Sequence, residues 1–222
     1  MIEREFIKTK IKNLRIRQRI NDVVTKSAGC GNITIEKTPM GEKIIVDTVR
    51  PGIVIGRGSK VWGKVTFRKY PGSTISIDNN VYIISSPLRY SFNIYPLTKL
   101  QTLSKSAEIK IGKNVAFNSL TILARSTTIS IGDGTLIGGN CQIFDTDGHQ
   151  LWPADKRFNT PDFDGDRSVS IGKNVFVGLN VLIMKGVEIG DNSIIAAGSV
   201  VTRSIPKDCV AAGIPAKVIS TH

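Results

Sequence analysis

The sequence offers few side chains able to exchange a proton near neutral pH, because its two histidines are His149 and the C-terminal His222. Histidine is the residue whose unperturbed charge changes in that range. His149 ends the stretch Asp145-Thr146-Asp147-Gly148-His149, where an aspartate could fix one imidazole tautomer and raise its basicity. Both aspartates are also ordinary turn residues, and a lone histidine is usually structural or merely exposed. We predict that His149 is a general base, with Asp147 or Asp145 beside it.

The cysteine content argues against a disulfide framework or a zinc site. Cys30, Cys141 and Cys209 are odd in number, far apart and without paired spacing. The sequence lacks both a run of ~20 uncharged apolar residues and the pattern of a secretory signal at its start. We therefore expect a cytoplasmic chain with reduced thiols.

A strict period of six residues organises the second half of the chain. Aliphatic residues stand six in register at Ile171, Val177, Ile183, Ile189, Ile195 and Val201. The same phase occurs at Ile131, Ile137 and Ile143, at Ile111, Phe117 and Leu123, and more faintly at Ile55, Val61 and Phe67 and at Ile77 and Ile83. An α-helix cannot repeat every six residues with Gly-Asn and Gly-Asp turn pairs, whereas short strands joined by tight corners can. The pattern predicts a solenoid with three parallel strands per coil rather than an ordinary β-sandwich.

The repeat also sets the domain boundaries. We predict a β-helix over residues 29–206, interrupted by proline-containing loops at 84–110 and 145–168, and followed by a C-terminal cap at 207–222. Cys141 occupies the small-residue position of its hexad, so we expect it to point into the coil rather than to act as a nucleophile.

The first 28 residues differ from the rest in charge and periodicity. Apolar residues recur there at spacings of three and four, which predicts an amphipathic helix. This arm holds eight Lys and Arg against Glu3, Glu5 and Asp22, a local charge of +5 within a net charge of +12. We expect its apolar stripe to pack on the protein rather than on a membrane. The charge alone does not indicate a nucleic-acid-binding protein, because aromatic residues do not alternate with the basic ones and no recognised nucleic-acid-binding motif accompanies them.

Four segments in order carry a resemblance to a known family. They are the hexads ending in a looped-out His149, then Ile171-Gly172-Lys173-Asn174-Val175-Phe176-Val177-Gly178, then Ala196-Ala197-Gly198-Ser199-Val200-Val201-Thr202, then Ala212-Gly213-Ile214-Pro215-Ala216-Lys217. Together they resemble the hexapeptide-repeat acetyltransferases, nearest the galactoside, maltose, nodulation-factor, capsule and O-antigen O-acetyltransferases. The resemblance covers roughly residues 111–219 and implies an all-β solenoid that is a left-handed parallel β-helix.

The resemblance also implies roles for single residues. His149 and Asn118 match the family's catalytic positions, and Asp147 and Trp152 are assigned to the acceptor. Six residues match positions that hold acetyl-CoA, namely Phe176, Gly178, Ala197, Thr202, Arg203 and Lys217. Phe176 stands where many sugar acetyltransferases have tryptophan, which leaves the acceptor open. No metal is implied.

The implied function is transfer of acetyl from acetyl-CoA to a sugar hydroxyl, within or on the way to a bacterial surface polysaccharide. Two alternatives stay open: N-acetylation of an amino-sugar nucleotide, and a non-catalytic binding scaffold. A zinc enzyme of the γ-type carbonic anhydrase kind would need three histidines, and the sequence has two.

Counting hexads places the predicted residues at different edges of the prism. His149 leaves after the third face of its coil, and Phe176 and Gly178 straddle the edge between the first and second faces of the next. A face of six residues at ~3.3 Å each puts neighbouring edges well over ~10 Å apart. We therefore predict a homotrimer in which the His149 edge of one chain meets the Phe176 edge of the next.

Overall fold

A computed structural model describes residues 29–38, 41–49, 53–86, 97–158 and 164–222. The chain divides into two compact units, Met1–Ile53 and Val54–His222. The predicted N-terminal helix over residues 1–28 lies outside the described residues. In the first unit, β1 (Gly29–Thr38) and β2 (Gly41–Val49) form an antiparallel hairpin, with Ile33 opposite Val46 and Ile35 opposite Ile44.

This hairpin differs from the predicted start of the β-helix at residue 29. Its apolar residues Ile33 and Ile35 alternate with polar ones at a period of two, which suits an antiparallel pair. The first strand of the solenoid is β3, at Ile53–Ile55. The period of six begins there.

The second unit contains a β-helix whose eighteen strands β3–β20 make six coils of three, and the first residue of β3, Ile53, falls at the boundary between the units. After β3 the strands are β4 (Lys60–Gly63), β5 (Thr66–Arg68), β6 (Thr74–Ile77), β7 (Tyr82–Ser85), β8 (Lys99–Thr102), β9 (Glu108–Ile111), β10 (Ala116–Asn118), β11 (Thr121–Ala124), β12 (Thr128–Ile131), β13 (Leu136–Ile137), β14 (Gln142–Phe144), β15 (Val169–Ile171), β16 (Phe176–Val177), β17 (Leu182–Ile183), β18 (Glu188–Ile189), β19 (Ile194–Ile195) and β20 (Val200–Val201). The predicted fold, a left-handed parallel β-helix, is confirmed.

Each coil contributes one strand to each of three parallel sheets. Face 1 contains β3, β6, β9, β12, β15 and β18, face 2 contains β4, β7, β10, β13, β16 and β19, and face 3 contains β5, β8, β11, β14, β17 and β20. The corners between them are called edge 1–2, edge 2–3 and edge 3–1, in chain order. Face 2 continues into β21 (Cys209–Gly213), which pairs with β19, and β22 (Ala216–Thr221), which runs antiparallel to β21.

The hexad aliphatics form the core by stacking on their equivalents in the next coil. On face 1 the register aligns Ile77, Ile111, Ile131, Ile171 and Ile189 in one column. All five are at most 3% exposed. Burying each such side chain stabilises the fold by ~1.5–3 kcal/mol relative to exposure. The stacked columns give a rigid prism on which loops can be positioned.

Asparagine forms the tight corners of edge 1–2. Asn80, Asn114, Asn174 and Asn192 all have positive φ, between 54° and 60°. Asparagine tolerates this left-handed conformation better than most residues. The side chains also bond between coils, since Asn174 Nδ2 donates to Asn192 Oδ1 (3.3 Å). These asparagines are therefore the corner residues between faces 1 and 2.

The structure corrects two details of the predicted repeat. Ile122 and Ala124, not Leu123, are the buried residues of β11, and Ile122 pairs with Ile143. β8 and part of β9 lie inside the predicted loop 84–110, so residues 86–98 alone separate β7 from β8. The hexad around Leu100 escaped detection because Thr98, Lys99, Gln101 and Thr102 surround a single aliphatic residue.

The loop at 145–168 leaves the phase of the repeat unchanged. β12 and β15 lie on either side of it and still pair on face 1, with Ile131 opposite Ile171. Within its described residues the regular structure is one 3-10 helix, Ala154–Lys156. The loop therefore departs from edge 3–1 and returns to it.

Candidate functional site

His149 lies on the loop at edge 3–1, four residues after Asp145 enters it, and its side chain is exposed. Its ring Nδ1 is 3.1 Å from the carbonyl oxygen of Gln150. A carbonyl oxygen can only accept a hydrogen bond, so Nδ1 carries the proton. This tautomer leaves the lone pair of Nε2 able to take a proton from a bound ligand.

The two aspartates beside His149 have other partners. Asp145 is buried and caps the corner of the coil before it, accepting hydrogen bonds from Arg125 N (2.7 Å) and Thr127 N (2.9 Å). Asp147 Oδ2 lies 2.6 Å from Lys185 Nζ. Within the described parts of the chain neither carboxylate hydrogen-bonds the imidazole. The His149 ring contacts the Gln150 carbonyl oxygen instead of an aspartate.

Beyond His149 the loop presents apolar side chains to solvent. Trp152 is 73% exposed and Phe158 is 96% exposed. The Arg157 guanidinium lies 5.3 Å from the centre of the Trp152 ring, which is cation–π range. Trp152 is thus an accessible aromatic surface a few residues from His149.

A second group of predicted residues lies at face 2 and edge 2–3. Phe176 lies on face 2, Asn118 ends β10 on that face, and Gly178 and Ala197 lie at edge 2–3 in adjacent coils. The sequence placed Phe176 and Gly178 at edge 1–2. That prediction is off by one edge because the corner falls at Gly172–Asn174, so the strand that follows occupies face 2.

Gly178 and Asn118 have distinctive surroundings. A Cβ on Gly178 would lie 2.5 Å from the backbone nitrogen of Ala197, so this position must be glycine for the two coils to stack. The Asn118 Oδ1 is buried and has no hydrogen-bond partner among the described residues. Unpaired buried polar atoms are uncommon. The Asn118 Oδ1 is therefore an atom that could accept a hydrogen bond from a bound molecule.

The remaining predicted residues are divided between edge 3–1 and the C-terminal hairpin. Thr202 and Arg203 follow β20 at edge 3–1, and both are exposed. Lys217 lies on β22 opposite Ala212 and is also exposed. The predicted acetyl-CoA residues are therefore not gathered in one place on this chain, because face 3 separates edge 2–3 from edge 3–1.

The structure shows a cluster at the base of the loop that sequence reasoning missed. Arg125 and Asp166 form a buried ion pair, with Arg125 Nη2 2.6 Å from Asp166 Oδ1 and Nε 2.9 Å from Oδ2. The pKa of Asp166 lies below its ordinary value: burial raises it, but hydrogen bonds from Arg125, Ser126 and Thr146 and the Arg125 charge outweigh burial. The pair is separated by 41 residues, so no local pattern could have indicated it.

Cys141 is buried, as predicted, and its Sγ donates to the Gly178 carbonyl oxygen (3.1 Å). Burial raises the pKa of the Cys141 thiol to about 11, although backbone hydrogen bonds from Val181 and Asn180 act in the opposite direction. A thiol is a poor nucleophile when protonated. The geometry therefore favours a packing role for Cys141.

We expect Cys141 to be unreactive in the folded protein at neutral pH. Titration with a thiol-specific disulfide reagent should give the same count for the native chain and for the folded Cys141→Ala variant. In denaturant the two counts should differ by one. A reactive Cys141 in the native state would contradict this assignment.

Two further features bear on the kind of site. Among the described residues no group of three or more His, Cys, Asp or Glu side chains is arranged to hold a metal ion. In that same part of the chain we find no helix with the length and apolar character needed to cross a membrane.

Comparison with known proteins assigns the β-helix to a family. Residues 128–148 and 168–203 match the model "Hexapeptide repeat of succinyl-transferase", and the gap between them falls on the loop that carries His149. The galactoside O-acetyltransferase of Escherichia coli K12 is 39% identical over 119 residues, covering 52% of this chain and 55% of that protein. The β-helical unit therefore carries hexapeptide repeats and is similar to the acetyltransferases that contain them.

One further protein is similar to the hexapeptide-repeat unit in sequence, and one solved structure is similar to it in fold. The putative lipopolysaccharide biosynthesis O-acetyl transferase WbbJ of Escherichia coli K12 is 34% identical over 116 residues, covering 49% of this chain and 58% of that one. A crystal structure of AntD, an N-acyltransferase from Bacillus cereus, in complex with dTDP and 3-hydroxybutyryl-CoA has the same fold with a TM-score of 0.57 at 19% identity, covering 76% of this chain and 82% of that one. The chain spans about half the length of the curated relatives it matches.

A different family matches the start of the chain. Residues 15–66 match a KH domain model, and the small ribosomal subunit protein uS3 of Archaeoglobus fulgidus is 39% identical over 59 residues, covering 27% of this chain and 25% of that protein. Sequence reasoning had found no nucleic-acid motif and missed this match. The match runs into the first coil of the hexapeptide-repeat unit, where Ser59 Oγ donates to Asp78 O (3.1 Å) and accepts from Val81 N (3.1 Å).

Proposed function

We propose that the hexapeptide-repeat unit transfers an acetyl group from acetyl-CoA to a sugar hydroxyl, within or on the way to a bacterial surface polysaccharide. The observation that carries this proposal is His149, an exposed histidine on a loop fixed to the prism, with Nδ1 facing the Gln150 carbonyl and Nε2 available. Similarity to proteins named galactoside O-acetyltransferase and lipopolysaccharide biosynthesis O-acetyl transferase supports the acceptor class.

The chemistry requires one base and one oxyanion partner. His149 Nε2 takes the proton from the acceptor hydroxyl as its oxygen attacks the thioester carbonyl carbon. The C–S bond then breaks, the acetyl group stays on the sugar oxygen, and the departing CoA thiolate receives the proton from His149. A backbone N–H or the Asn118 amide stabilises the oxyanion between these steps. No covalent enzyme intermediate is needed, because binding holds the thioester and the hydroxyl together.

We also propose that the complete site is formed between copies of the chain in a homotrimer. His149 lies at edge 3–1, whereas Phe176, Gly178 and Ala197 lie at face 2 and edge 2–3, with face 3 between them. Face 2 itself carries an exposed apolar column over three successive coils, formed by Leu136, Phe176 and Ile194, and the exposed Tyr82 lies in the same column two coils before Leu136. Such a column suits burial against a second copy.

We expect Arg203→Ala and Lys217→Ala to weaken CoA binding, each by roughly 2- to 5-fold at low salt and by less at high salt, because exposed phosphate contacts are screened by ions. Isothermal titration with CoA and with dephospho-CoA would measure this. Lys207→Ala is the matched control, since Lys207 is exposed at edge 1–2. Equal losses for both ligands would rule out a contact with the 3′-phosphate.

The acceptor class is tested by incubating the protein with acetyl-CoA and a panel of galactosides, surface oligosaccharides and amino-sugar nucleotides. Product mass identifies the acetylated compound, and lability to mild base separates an O-ester from an amide. We expect a base-labile product from a hydroxyl acceptor. A base-stable product would favour N-acetylation, and binding of glycans without any transfer would favour a scaffold.

A further inference from the structure

The loop that carries His149 leaves the prism at residues 145–148 and returns to it at residues 165–167, and these two segments together are called the loop neck. Two cations hold the loop neck, one from the corner before it and one from the corner after it. Arg125 projects from edge 3–1 of the coil formed by β9–β11, and Lys185 follows β17 at the same edge. Lys185 Nζ contacts Asp147 Oδ2 (2.6 Å) on the entering segment and the Gly165 carbonyl oxygen (2.8 Å) on the returning one. The two segments also bond directly, since Arg167 N donates to Asp145 O (2.9 Å).

Arg125 differs from Lys185 because it is buried and reaches the residue next to His149. Its side chain is 6% exposed, and that of Asp166 is 0% exposed. While Nε and Nη2 bind Asp166 on the returning segment, Nη1 donates to the carbonyl oxygen of Gly148 on the entering segment (2.6 Å). The planar guanidinium can do both because its donors form a fixed fork.

The two peptide units on either side of Gly148, the second of which joins it to His149, are each held by a hydrogen bond. Gly148 N donates to Thr146 Oγ1 (2.9 Å), and Gly148 O accepts from Arg125. Gly148 has φ of 87°, a conformation that glycine adopts readily, so the contacts select one of several available orientations. Holding this residue limits the directions in which the His149 side chain can leave the backbone.

We propose that Arg125 is a positioning residue, which joins Asp166 to the Gly148 carbonyl and so holds His149 in its working orientation. This inference rests on the proposed role of His149 as base. Catalytic geometry is sensitive to small displacements, and a shift of ~1 Å can cost ~10²-fold in rate. Arg125 itself does not touch the acceptor or the thioester in this account.

The test must separate positioning from folding. Removing one partner of a buried ion pair leaves an uncompensated charge, whereas replacing both by apolar residues is often neutral for stability. The first variant is therefore Arg125→Met/Asp166→Leu, and the second is Arg125→Lys, which keeps the charge but not the fork. Lys113→Met is the control, because Lys113 is an exposed cation of the same coil at edge 1–2.

Two readouts are measured on the full chain. We expect kcat to fall by ~10- to 100-fold in the double variant, with the KM for acetyl-CoA unchanged. In the NMR spectrum of the histidine rings, the His149 signal should move towards that of an unstructured peptide, while His222 serves as the internal reference. Lys113→Met should leave both readouts as in the native chain.

The NMR measurement tests this inference separately from the proposed function, because the His149 signal can be recorded without catalytic turnover. If the double variant folds and keeps both its kcat and its His149 signal, the positioning role is overturned. If the double variant does not fold, Arg125→Lys decides: a drop in kcat with a shifted His149 signal supports the role, and native values for both overturn it.

Discussion

His149→Ala is expected to lower kcat for acetyl transfer by about 10²-fold or more while leaving the affinity for acetyl-CoA almost unchanged. The physical reason is that Nε2 acts on the acceptor proton and not on the donor. The variant should fold, because the described hydrogen bond of the His149 ring is to its neighbour Gln150, and the loop neck is held by other residues.

The matched control for this variant is His222→Ala, which removes the other histidine, exposed at the C-terminal end of the described chain. We expect His222→Ala to retain native turnover. Measurement requires steady-state kinetics with an identified acceptor and a binding titration with acetyl-CoA. A loss of CoA binding in His149→Ala, with turnover per bound CoA preserved, would reassign His149 to a structural role.

The second large effect is expected when two inactive variants are combined. His149→Ala removes the proposed base. Ala197→Trp is designed to block edge 2–3, where Ala197 is exposed and where we propose that acetyl-CoA binds. Gly178 is unsuitable for the bulky change, because a side chain there would collide with the Ala197 backbone. Each variant alone should be inactive, whereas mixed trimers contain interfaces that combine an intact His149 with an intact edge 2–3.

Random mixing in equal amounts makes roughly a quarter of the interfaces intact, so we expect about that fraction of native activity to return. The two variants should be dissociated, mixed and reassembled, with different affinity tags to verify mixed trimers. Sequential purification on both tags provides that check. A verified mixture that stays inactive would show that one chain holds a complete site.

The hexads explain how much of the fold was predictable. From Ile171 to Val201 the spacing is free of errors, and all six aliphatic residues of that repeat are buried as predicted, because each coil stacks its aliphatic residues on those of the next. The assignment of residues to edges was less accurate, since Phe176 lies on face 2 and not at edge 1–2. Around Leu100 the repeat was missed, because Gln101 and Thr102 of β8 are buried although they are polar, so this strand shows no aliphatic repeat.

The start of the chain shows a different limit. Ile53–Ile55 and Lys60–Gly63 lie within the KH domain match and also form strands of the first coil. Gly56 N donates to Ile77 O (2.7 Å) in the second coil, so this segment is built into the β-helix. Local sequence similarity does not decide between two folds when long-range pairing determines which one forms.

The site residues chosen from the sequence stay a prediction, and the contacts between them could not be predicted. His149 could be selected from the sequence because it is one of two histidines and closely follows two aspartates and a glycine. The contacts of Arg125 with Gly148 and Asp166 join residues that are far apart in the sequence, and the contact of the His149 ring with the Gln150 carbonyl depends on the local backbone conformation. Separations of 23 and 41 residues leave no trace in the local pattern.

The most direct test of the central claim is release of free CoA thiol from acetyl-CoA, measured with and without a sugar acceptor. The native chain should release thiol at a rate that depends on acceptor concentration, with one acetylated sugar formed per thiol. His149→Ala should reduce this release to the rate of spontaneous hydrolysis. If every sugar acceptor leaves the release of the native chain at that background rate, the proposed acetyl transfer is contradicted.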